Sequence, residues 1–530
     1  NPSRRHEHKR RAAVATGGNC SRTQMSETGN TTNSRQSDLG LSTAEIDSLS
    51  SQVTKLVTEY FEQVSDLPVF PRTFGGPTIA DLESRLPLAG EPLEKLLSDC
   101  REIINGIRHN GHPRQFGYVA SPATPAGAFA DLIASALNVN VTAWRSAPAA
   151  TELERMVVRW LGSMIGYSEE AHGLLTSGGS MANLIAMLIA HRAKARDDTA
   201  RKGLWSCGPR MIIYASDQVH MSIQKAADIL GIGRDQVRTI ESDDGFHLNV
   251  RALREQVQED LRNGLKPFCV VASAGTVNTG AVDPLNEISD LAAEFDLWFH
   301  IDGAYGAPAT LDERKRSLFD GLNRADSVSL DAHKWLYVPI DAGCLLFRDH
   351  AAARAAFASG EADYIKVLEQ PDTYEAFAFW DYGIELSRRF RALKIWLTFR
   401  YYGLTRIAAA ITEDNSLADY LGRCVDEADD FELLAPVELS ICCFRYLPRG
   451  SKASLASASV VERARIDGEL DQLNTRLMLA VQRGGQAYLS NATLRGRFAL
   501  RACITNFRTT QADIDKTLEI IREAARRETG

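Results

Sequence analysis

Short apolar segments alternate with helical segments through the middle of this 530-residue chain, and this alternation limits the fold more than any other feature. The apolar segments have no polar face, as expected of strands that are buried on both sides. Helical patterns, such as residues 250–263 and 285–295, fall between them. An α/β fold with a mostly parallel sheet, covered by helices on both faces, is therefore predicted. The candidate strands are residues 211–215, 237–240, 268–272, 297–301, 327–330 and 343–347.

Polar or glycine-containing segments follow several of these strands. In parallel α/β sheets, ligands bind outside the carboxyl ends of the strands, so segments in these positions are candidates for one common site. This coincidence is better evidence than any one of the segments alone. The candidates are residues 177–180, His220, residues 274–276, Asp302 and Lys334.

Lys334 ends one of the strands, between His333 and Trp335. Standing alone, a His-Lys pair is more often a surface feature. A lysine at the end of a buried strand, however, is costly unless it is neutralised or bonded, and a Schiff base with an aldehyde neutralises it. Asp302 ends the preceding strand. A lysine and an aspartate in these positions meet the needs of pyridoxal phosphate, since the lysine binds the aldehyde and the carboxylate keeps the pyridine nitrogen protonated.

Three further segments fit the same cofactor. Gly179 and Ser180 open a helix, where glycines let backbone N–H groups approach an anion and the helix N-terminus adds partial positive charge. Taken alone, a pair of glycines before a helix is usually a tight turn. His220 follows a strand, which favours a ring stacked on the pyridine, and Thr276 is expected near the ring oxygen.

The composition of the chain suggests four regions. Residues 1–40 are polar and are expected to form a disordered tail, and residues 41–135 a helical segment that begins with a cap at Ser42 and Glu45. Residues 136–415 are expected to form the cofactor-binding large domain, and residues 416–530 a small α+β domain. The irregular, charged stretch at residues 360–372 is expected to be a mobile loop.

Charge and cysteine content exclude several functional classes. The net charge of −8 argues against nucleic-acid binding, and no apolar run is long enough to cross a bilayer. The nine cysteines are scattered and show no metal-binding spacing, so no metal site is expected. Their odd number fits a reducing cytoplasm better than a disulfide framework.

The segments Asp-Ala-His-Lys-Trp, His-Ile-Asp-Gly-Ala-Tyr, Ser-Gly-Gly-Ser and Ser-Asp-Gln-x-His together resemble those of the pyridoxal-phosphate-dependent group II amino-acid decarboxylases. The resemblance is greatest to the aromatic L-amino-acid decarboxylases and extends from about residue 45 to the C-terminus. It implies a type I, aspartate aminotransferase-like fold and a homodimer with shared active sites. It also implies that the chain decarboxylates an L-amino acid.

The resemblance also implies roles for individual residues. Lys334 binds the cofactor aldehyde, Asp302 pairs with the pyridine nitrogen and Tyr364 protonates the substrate carbon after carbon dioxide leaves. Asp331 stands beside the phosphate, where some members carry asparagine. The cofactor-binding residues implied are Gly179, Ser180, His220, Thr276, Asp302, Ala304, Ser327, His333 and Lys334.

The substrate is less constrained than the cofactor. Five residues match pocket positions of the family: Tyr118, Val119, Asn140, Thr142 and Ser387. Asn140 and Thr142 are expected to come from the partner subunit, and Ser387 favours a smaller phenolic or imidazole ring over an indole. Tyrosine, DOPA or phenylalanine is therefore expected rather than tryptophan, while histidine and acidic substrates stay open. An aldehyde synthase is the enzymatic alternative, although such relatives tend to replace the tyrosine at position 364, and a cofactor-free scaffold dimer is the non-enzymatic alternative.

Overall fold

The structure, a computed structural model, describes residues 39–71, 86–195, 199–204, 208–357 and 376–529. The chain divides into one unit that ends at Thr54 and a second that begins at Lys55. In the first unit, Ser42 and Glu45 form the expected capping box: the Glu45 carboxylate accepts the Ser42 N–H at 2.8 Å, and Ser42 Oγ accepts the Glu45 N–H at 3.3 Å. This part of the sequence prediction is confirmed.

A seven-stranded sheet forms the centre of the second unit. Its strand order is β1-β7-β6-β5-β4-β2-β3. Strands β2 to β6 pair in parallel, whereas β7 runs antiparallel to both β6 and β1. The predicted mostly parallel sheet is thereby confirmed. The strands are β1 (His172–Thr176), β2 (Met211–Ser216), β3 (Val237–Ile240), β4 (Lys266–Ser273), β5 (Trp298–Asp302), β6 (Ser327–Asp331) and β7 (Gly343–Phe347).

Helices pack on both faces of this sheet because successive apolar side chains of its strands point to opposite faces and form two separate cores. Ile212 and Tyr214 of β2 face one core, while Met211 and Ile213 face the other. The helices up to the end of the large domain are α1 (Thr43–Gln63), α2 (Leu93–Asn105), α3 (Pro125–Leu137), α4 (Pro148–Met164), α5 (Gly179–Lys194), α6 (Thr199–Lys202), α7 (Ser222–Ile229), α8 (Val250–Arg262), α9 (Leu285–Glu294), α10 (Ala332–Trp335), α11 (His350–Phe357) and α12 (Arg391–Tyr402).

The C-terminal part is a four-stranded antiparallel sheet covered by long helices, with a core of its own. Its strand order is β10-β11-β9-β8. A domain boundary between residues 415 and 416 falls inside the helix that leads into this part. The elements are α13 (Leu404–Glu427), β8 (Phe431–Leu433), β9 (Ile441–Tyr446), α14 (Ser451–Ser457), α15 (Val460–Gly484), β10 (Ser490–Leu494), β11 (Arg497–Cys503) and α16 (Gln511–Thr529).

None of the helices within the described ranges combines the length and the apolar character that a bilayer crossing requires.

Candidate active site

A cavity of about 530 Å³ opens at the carboxyl ends of β4, β5 and β6. The C-terminal sheet supplies part of its wall through β10 and β11. The cavity therefore lies at the edge of the sheet where ligands of parallel α/β sheets usually bind. Nine of the predicted site residues line the cavity: Tyr118, Val119, Gly179, Ser180, His220, Asp302, Ala304, His333 and Lys334.

Lys334 reaches this cavity because β6 ends at Asp331 and turns directly into α10. Its ammonium lies 3.1 Å from Oδ2 of Asp331, a carboxylate that is almost fully buried. The second oxygen, Oδ1, is buried without a hydrogen-bond partner among the described residues. An unpaired buried carboxylate oxygen is costly unless a further donor reaches it.

The turn that carries Lys334 is held in place by hydrogen bonds to Asp414 of α13. The Asp414 carboxylate accepts hydrogen bonds from Trp335 Nε1 at 2.8 Å and from the Tyr337 hydroxyl at 2.7 Å. Trp335 also stacks on Tyr305 of the cavity wall, with ring centroids 5.2 Å apart. The turn that carries the lysine is thus fixed by packed aromatic side chains.

Burial raises the pKa of Asp414 to about 7, well above its ordinary value. The folded protein then holds a proton that the unfolded chain releases, so the free energy of unfolding should fall as pH rises between about 4 and 7. We expect Asp414→Asn to remove this fall, which has a slope of at most about 1.4 kcal/mol per pH unit. The difference between thermal unfolding midpoints of the two proteins across this range measures it. Parallel curves would contradict the assignment.

Asp302 is buried at the end of β5 and is held by three hydrogen bonds. Asn183 Nδ2 donates to Oδ2 at 2.8 Å, while the Ser329 hydroxyl and the Ala304 N–H donate to Oδ1 at 3.2 Å each. Burial alone would raise the pKa of the Asp302 carboxyl, but the charge of Lys334 is the first of several interactions that hold it below its ordinary value. Asp302 is therefore ionised, as a partner for a protonated ring nitrogen must be.

His220 lies in the segment between β2 and α7. Its Nδ1 is 2.8 Å from Ser222 Oγ and also accepts the Ser222 N–H at 3.3 Å. Burial lowers the pKa of His220, and burial likewise lowers the pKa of His333, whose Nδ1 accepts the Ala342 N–H at 3.1 Å. Both imidazoles therefore face the cavity as neutral rings at physiological pH.

The N-terminus of α5 lies at the cavity and offers hydrogen-bond donors that suit an anion. Because the first turn of a helix leaves N–H groups without intrahelical acceptors, Gly179 and Ser180 offer backbone donors there. A Cβ at position 179 would lie only 2.9 Å from Cβ of Ala304 and 3.0 Å from Oδ2 of Asp331, so glycine is required. A lysine, a buried carboxylate, a neutral ring and a helix N-terminus around one cavity fit pyridoxal phosphate.

Arg501 of β11 was not expected from the sequence. Its Nη1 donates to the Tyr118 carbonyl at 2.9 Å and its Nε to the Asn278 carbonyl at 3.1 Å. Its Nη2 is buried and has no hydrogen-bond partner among the described residues, although Arg501 lines the cavity. A buried guanidinium nitrogen without a partner is suited to a carboxylate ligand. No local signal in the sequence reveals it, because the residue comes from the C-terminal sheet, far along the chain from Asp302 and Lys334.

Two predicted cofactor ligands do not line the cavity. Ser327 lies at the opposite end of β6 from Asp331, where its Oγ accepts from Trp298 Nε1 at 2.9 Å. The β5–β6 register pairs Ser329, not Ser327, with Asp302. Thr276 follows Gly275, whose φ of +98° turns the chain so that the Thr276 hydroxyl bonds Thr279 Oγ1 at 2.8 Å instead. The backbone geometry thus turns both side chains away from the cavity lining, and their roles at the cofactor stay predictions.

Three predicted substrate residues also lie away from this cavity. Asn140 and Ser387 line a separate cavity of about 370 Å³. The Asn140 side chain accepts the Arg388 N–H at 2.8 Å, and Thr142 is buried nearby with its carbonyl bonded to Phe379 N–H at 2.9 Å. These residues thus form a second group within the chain. Tyr364, predicted as the proton donor, lies outside the described residues.

Comparison with known proteins gives consistent matches over most of the chain. The family model described as "Pyridoxal-dependent decarboxylase conserved domain" matches residues 76–447. An aromatic-L-amino-acid decarboxylase of Bacillus atrophaeus is 37% identical over 92% of this chain and 97% of its own length. A 4-hydroxyphenylacetaldehyde synthase of Rhodiola rosea is 32% identical over 91% and 95%. The structure of Oryza sativa TDC with PLP and tryptamine superposes with a TM-score of 0.83 at 28% identity, covering 92% of this chain and 99% of that one.

Proposed function

We propose, because this chain belongs to the pyridoxal-dependent decarboxylase family, that it converts an aromatic L-amino acid into the corresponding amine and carbon dioxide. Decarboxylation of an amino acid with pyridoxal phosphate follows from the family, and the proposal concerns the substrate and the product. One observation carries it. The cavity that holds Lys334 and Asp302 is also lined by Tyr118, Val119 and Arg501, and the Arg501 guanidinium keeps one buried nitrogen without a hydrogen-bond partner among the described residues.

The residues of the cavity have distinct proposed roles. When bound, pyridoxal phosphate supplies a pyridine ring that spreads the negative charge left on the substrate carbon when carbon dioxide departs. Lys334 would hold the aldehyde end of the bound cofactor, and Asp302, whose pKa is lowered, would keep the ring nitrogen protonated. His220 would pack against the ring, and the first turn of α5 would hold the phosphate.

The cations in the cavity support an aromatic substrate over an acidic one. An acidic amino acid carries two carboxylates, and a buried carboxylate needs a cation or several donors. Lys334 is committed to the cofactor, and the imidazoles of His220 and His333 are neutral. Among the lining residues in the described ranges, Arg501 is then the cation left for a single carboxylate, which is the one that every amino acid carries.

We expect Arg501→Lys to raise the KM for the amino acid by about tenfold, because a lysine keeps the charge but loses the planar two-nitrogen geometry. Arg497→Lys is the matched control, since Arg497 starts the same strand and pairs with Glu432 at 3.5 Å outside the cavity. Steady-state kinetics with tyrosine or DOPA measures the effect. Equal KM values in the two variants would remove Arg501 from the substrate site.

The proposal includes a homodimer with shared sites. Within one chain, Asn140 and Ser387 face a different cavity from Lys334, so they contribute to the substrate pocket only if a partner subunit presents them. Exposed apolar side chains on the neighbouring surface support burial by a partner, namely Leu132, Ile133, Leu137, Ile384 and Leu386. The scattered cysteines of the sequence support a cytoplasmic location.

A panel of L-amino acids tests the substrate and the product together. Tyrosine, DOPA, phenylalanine, tryptophan, histidine and glutamate are incubated with the holoenzyme, and carbon dioxide, amine and hydrogen peroxide are measured. The proposal requires carbon dioxide and amine in equal amounts from an aromatic substrate. Peroxide and aldehyde as main products would favour the synthase alternative, which the Rhodiola rosea relative represents.

A prediction from the sequence alone concerns Tyr364 and whether the product is an amine or an aldehyde. If its hydroxyl protonates the substrate carbon, Tyr364→Phe leaves that carbon open to oxygen, and the main product should shift from amine to aldehyde, ammonia and peroxide. The amine-to-aldehyde ratio, measured by chromatography, reports the shift. Amine as the main product of the variant would transfer the proton-donor role to another group.

A further inference from the structure

Behind the cavity floor, a continuous chain of buried hydrogen bonds connects β5, β6, α5 and α7. It begins at Trp298, whose Nε1 donates to Ser327 Oγ at 2.9 Å. Ser327 Oγ lies 2.9 Å from His300 Nδ1, and His300 Nε2 lies 3.0 Å from Asn183 Oδ1.

The direction of each bond in this chain follows from its two fixed ends. An indole N–H is only a donor, so Ser327 Oγ accepts from Trp298, and its own proton is available to His300 Nδ1. His300 then carries its proton on Nε2 and donates it to Asn183 Oδ1. Burial lowers the pKa of His300 to about 4, which agrees with a neutral ring. The Asn183 amide oxygen therefore faces His300.

The carboxylate of Asp302 fixes the same orientation independently. Asn183 Nδ2 lies 2.8 Å from Asp302 Oδ2 and 2.9 Å from Ser222 Oγ. An ionised carboxylate only accepts, so the NH2 group must face it, and its second hydrogen goes to Ser222. Ser222 Oγ has then accepted one bond, and its own proton goes to His220 Nδ1 at 2.8 Å.

We propose that Asn183 is a positioning residue that sets the proton arrangement of the active site: it orients Asp302 and, through Ser222, keeps His220 neutral with its proton on Nε2. The Ser222 hydroxyl and N–H both donate to His220 Nδ1, so a proton on Nδ1 would face two donors. His220 Nε2 has no hydrogen-bond partner among the described residues and is free for a ligand. His220 thus acts as a ring surface and N–H donor rather than as an acid.

The charged groups around His220 are compatible with this arrangement. Asp302 and Asp331 favour an imidazolium, whereas Lys334 and the exposed Lys225 oppose it, and burial opposes it most strongly. The carboxylate that could best stabilise an imidazolium, Asp302, is already engaged by Asn183 and Ser329. The consequence for catalysis rests on the proposed roles of Asp302 and His220. The proton positions rest on the hydrogen bonds alone.

Nitrogen-15 NMR of the full-length protein, labelled at its histidine rings, tests the proposal with and without pyridoxal phosphate. The His220 signals are assigned by their loss in His220→Gln. At neutral pH, we expect Nδ1 of His220 to show the shift of an unprotonated nitrogen and Nε2 that of a protonated one. In Ser222→Ala and Asn183→Ala, both shifts should move toward the average of exchanging tautomers. A protonated Nδ1 in the unmodified protein would overturn the proposal.

Asn474→Ala is the matched control for a loss of stability alone. Asn474 is equally buried, donates to the Tyr446 and Leu470 carbonyls at 3.0 and 2.9 Å, and lies in the small domain. It should leave the His220 shifts unchanged, whereas Asn183→Ala should change them and weaken pyridoxal phosphate binding by about tenfold, measured by fluorescence quenching. If Asn183→Ala does not fold, Ser222→Ala decides. Unchanged His220 shifts in a folded Asn183→Ala or Ser222→Ala protein would contradict the proposal, whatever the outcome of the substrate panel.

Discussion

Lys334→Ala should abolish turnover, with a fall in kcat of at least about 10³-fold. The residue is the lysine of the cavity, and α10 places it where the ends of β5 and β6 meet the anion-binding turn of α5. An alanine cannot bind the cofactor aldehyde, so the cofactor is held only by its phosphate and ring contacts. The rate of carbon dioxide release and the visible absorbance of the purified variant measure both losses.

Lys225→Ala is the control for the lysine prediction. Lys225 belongs to α7 and contributes to the electrostatic environment of His220, but it is exposed and does not line the cavity. Its removal should leave kcat within about twofold of the unmodified enzyme, as is usual for surface substitutions. Borohydride makes the bond between a lysine and the cofactor permanent, and peptide mapping then identifies the labelled residue. A label on another lysine would refute the role of Lys334.

Asp302→Asn should lower kcat by about 10² to 10³-fold, while pyridoxal phosphate still binds. Asparagine has nearly the same size as aspartate, and its single oxygen can still accept the Ser329 and Ala304 hydrogen bonds, although the bond from Asn183 Nδ2 to the second oxygen is lost. The charge that holds the ring nitrogen protonated is lost, and the ring then accepts the developing negative charge poorly. Single-turnover measurements of carbon dioxide release separate this effect from weaker substrate binding.

Asp260→Asn provides a buried carboxylate outside the site for comparison. Asp260 accepts the Tyr214 hydroxyl at 2.8 Å and pairs with Arg238 at 3.2 Å in the same domain. Its replacement should cost stability without a comparable loss of kcat. Near-normal kcat in Asp302→Asn, with the control behaving as expected, would take the electronic role away from Asp302.

The alternation of apolar strands and helices in the sequence determined the fold, because a strand buried on both faces leaves a continuous apolar segment that can be read locally. The same is true of Lys334, Asp302 and His220, since each follows such a strand and strand ends converge at one edge of a parallel sheet. Thr276 and Ser327 could not be placed in this way. Their side-chain directions depend on a positive φ at Gly275 and on the register between β5 and β6.

Only the tertiary structure decided which residues complete the site from elsewhere in the chain. Arg501 is brought to the cavity by the small domain, and Asp414 supports Lys334 from a helix about 80 residues further along the chain. Asn183 was visible in the sequence as a polar residue of a helix, but its hydrogen bonds to Asp302 and Ser222 join segments that are 119 and 39 residues apart. Local patterns determine which segments become strands and helices. Contacts between distant segments depend on how those elements pack, and a single sequence carries no local signal of that packing.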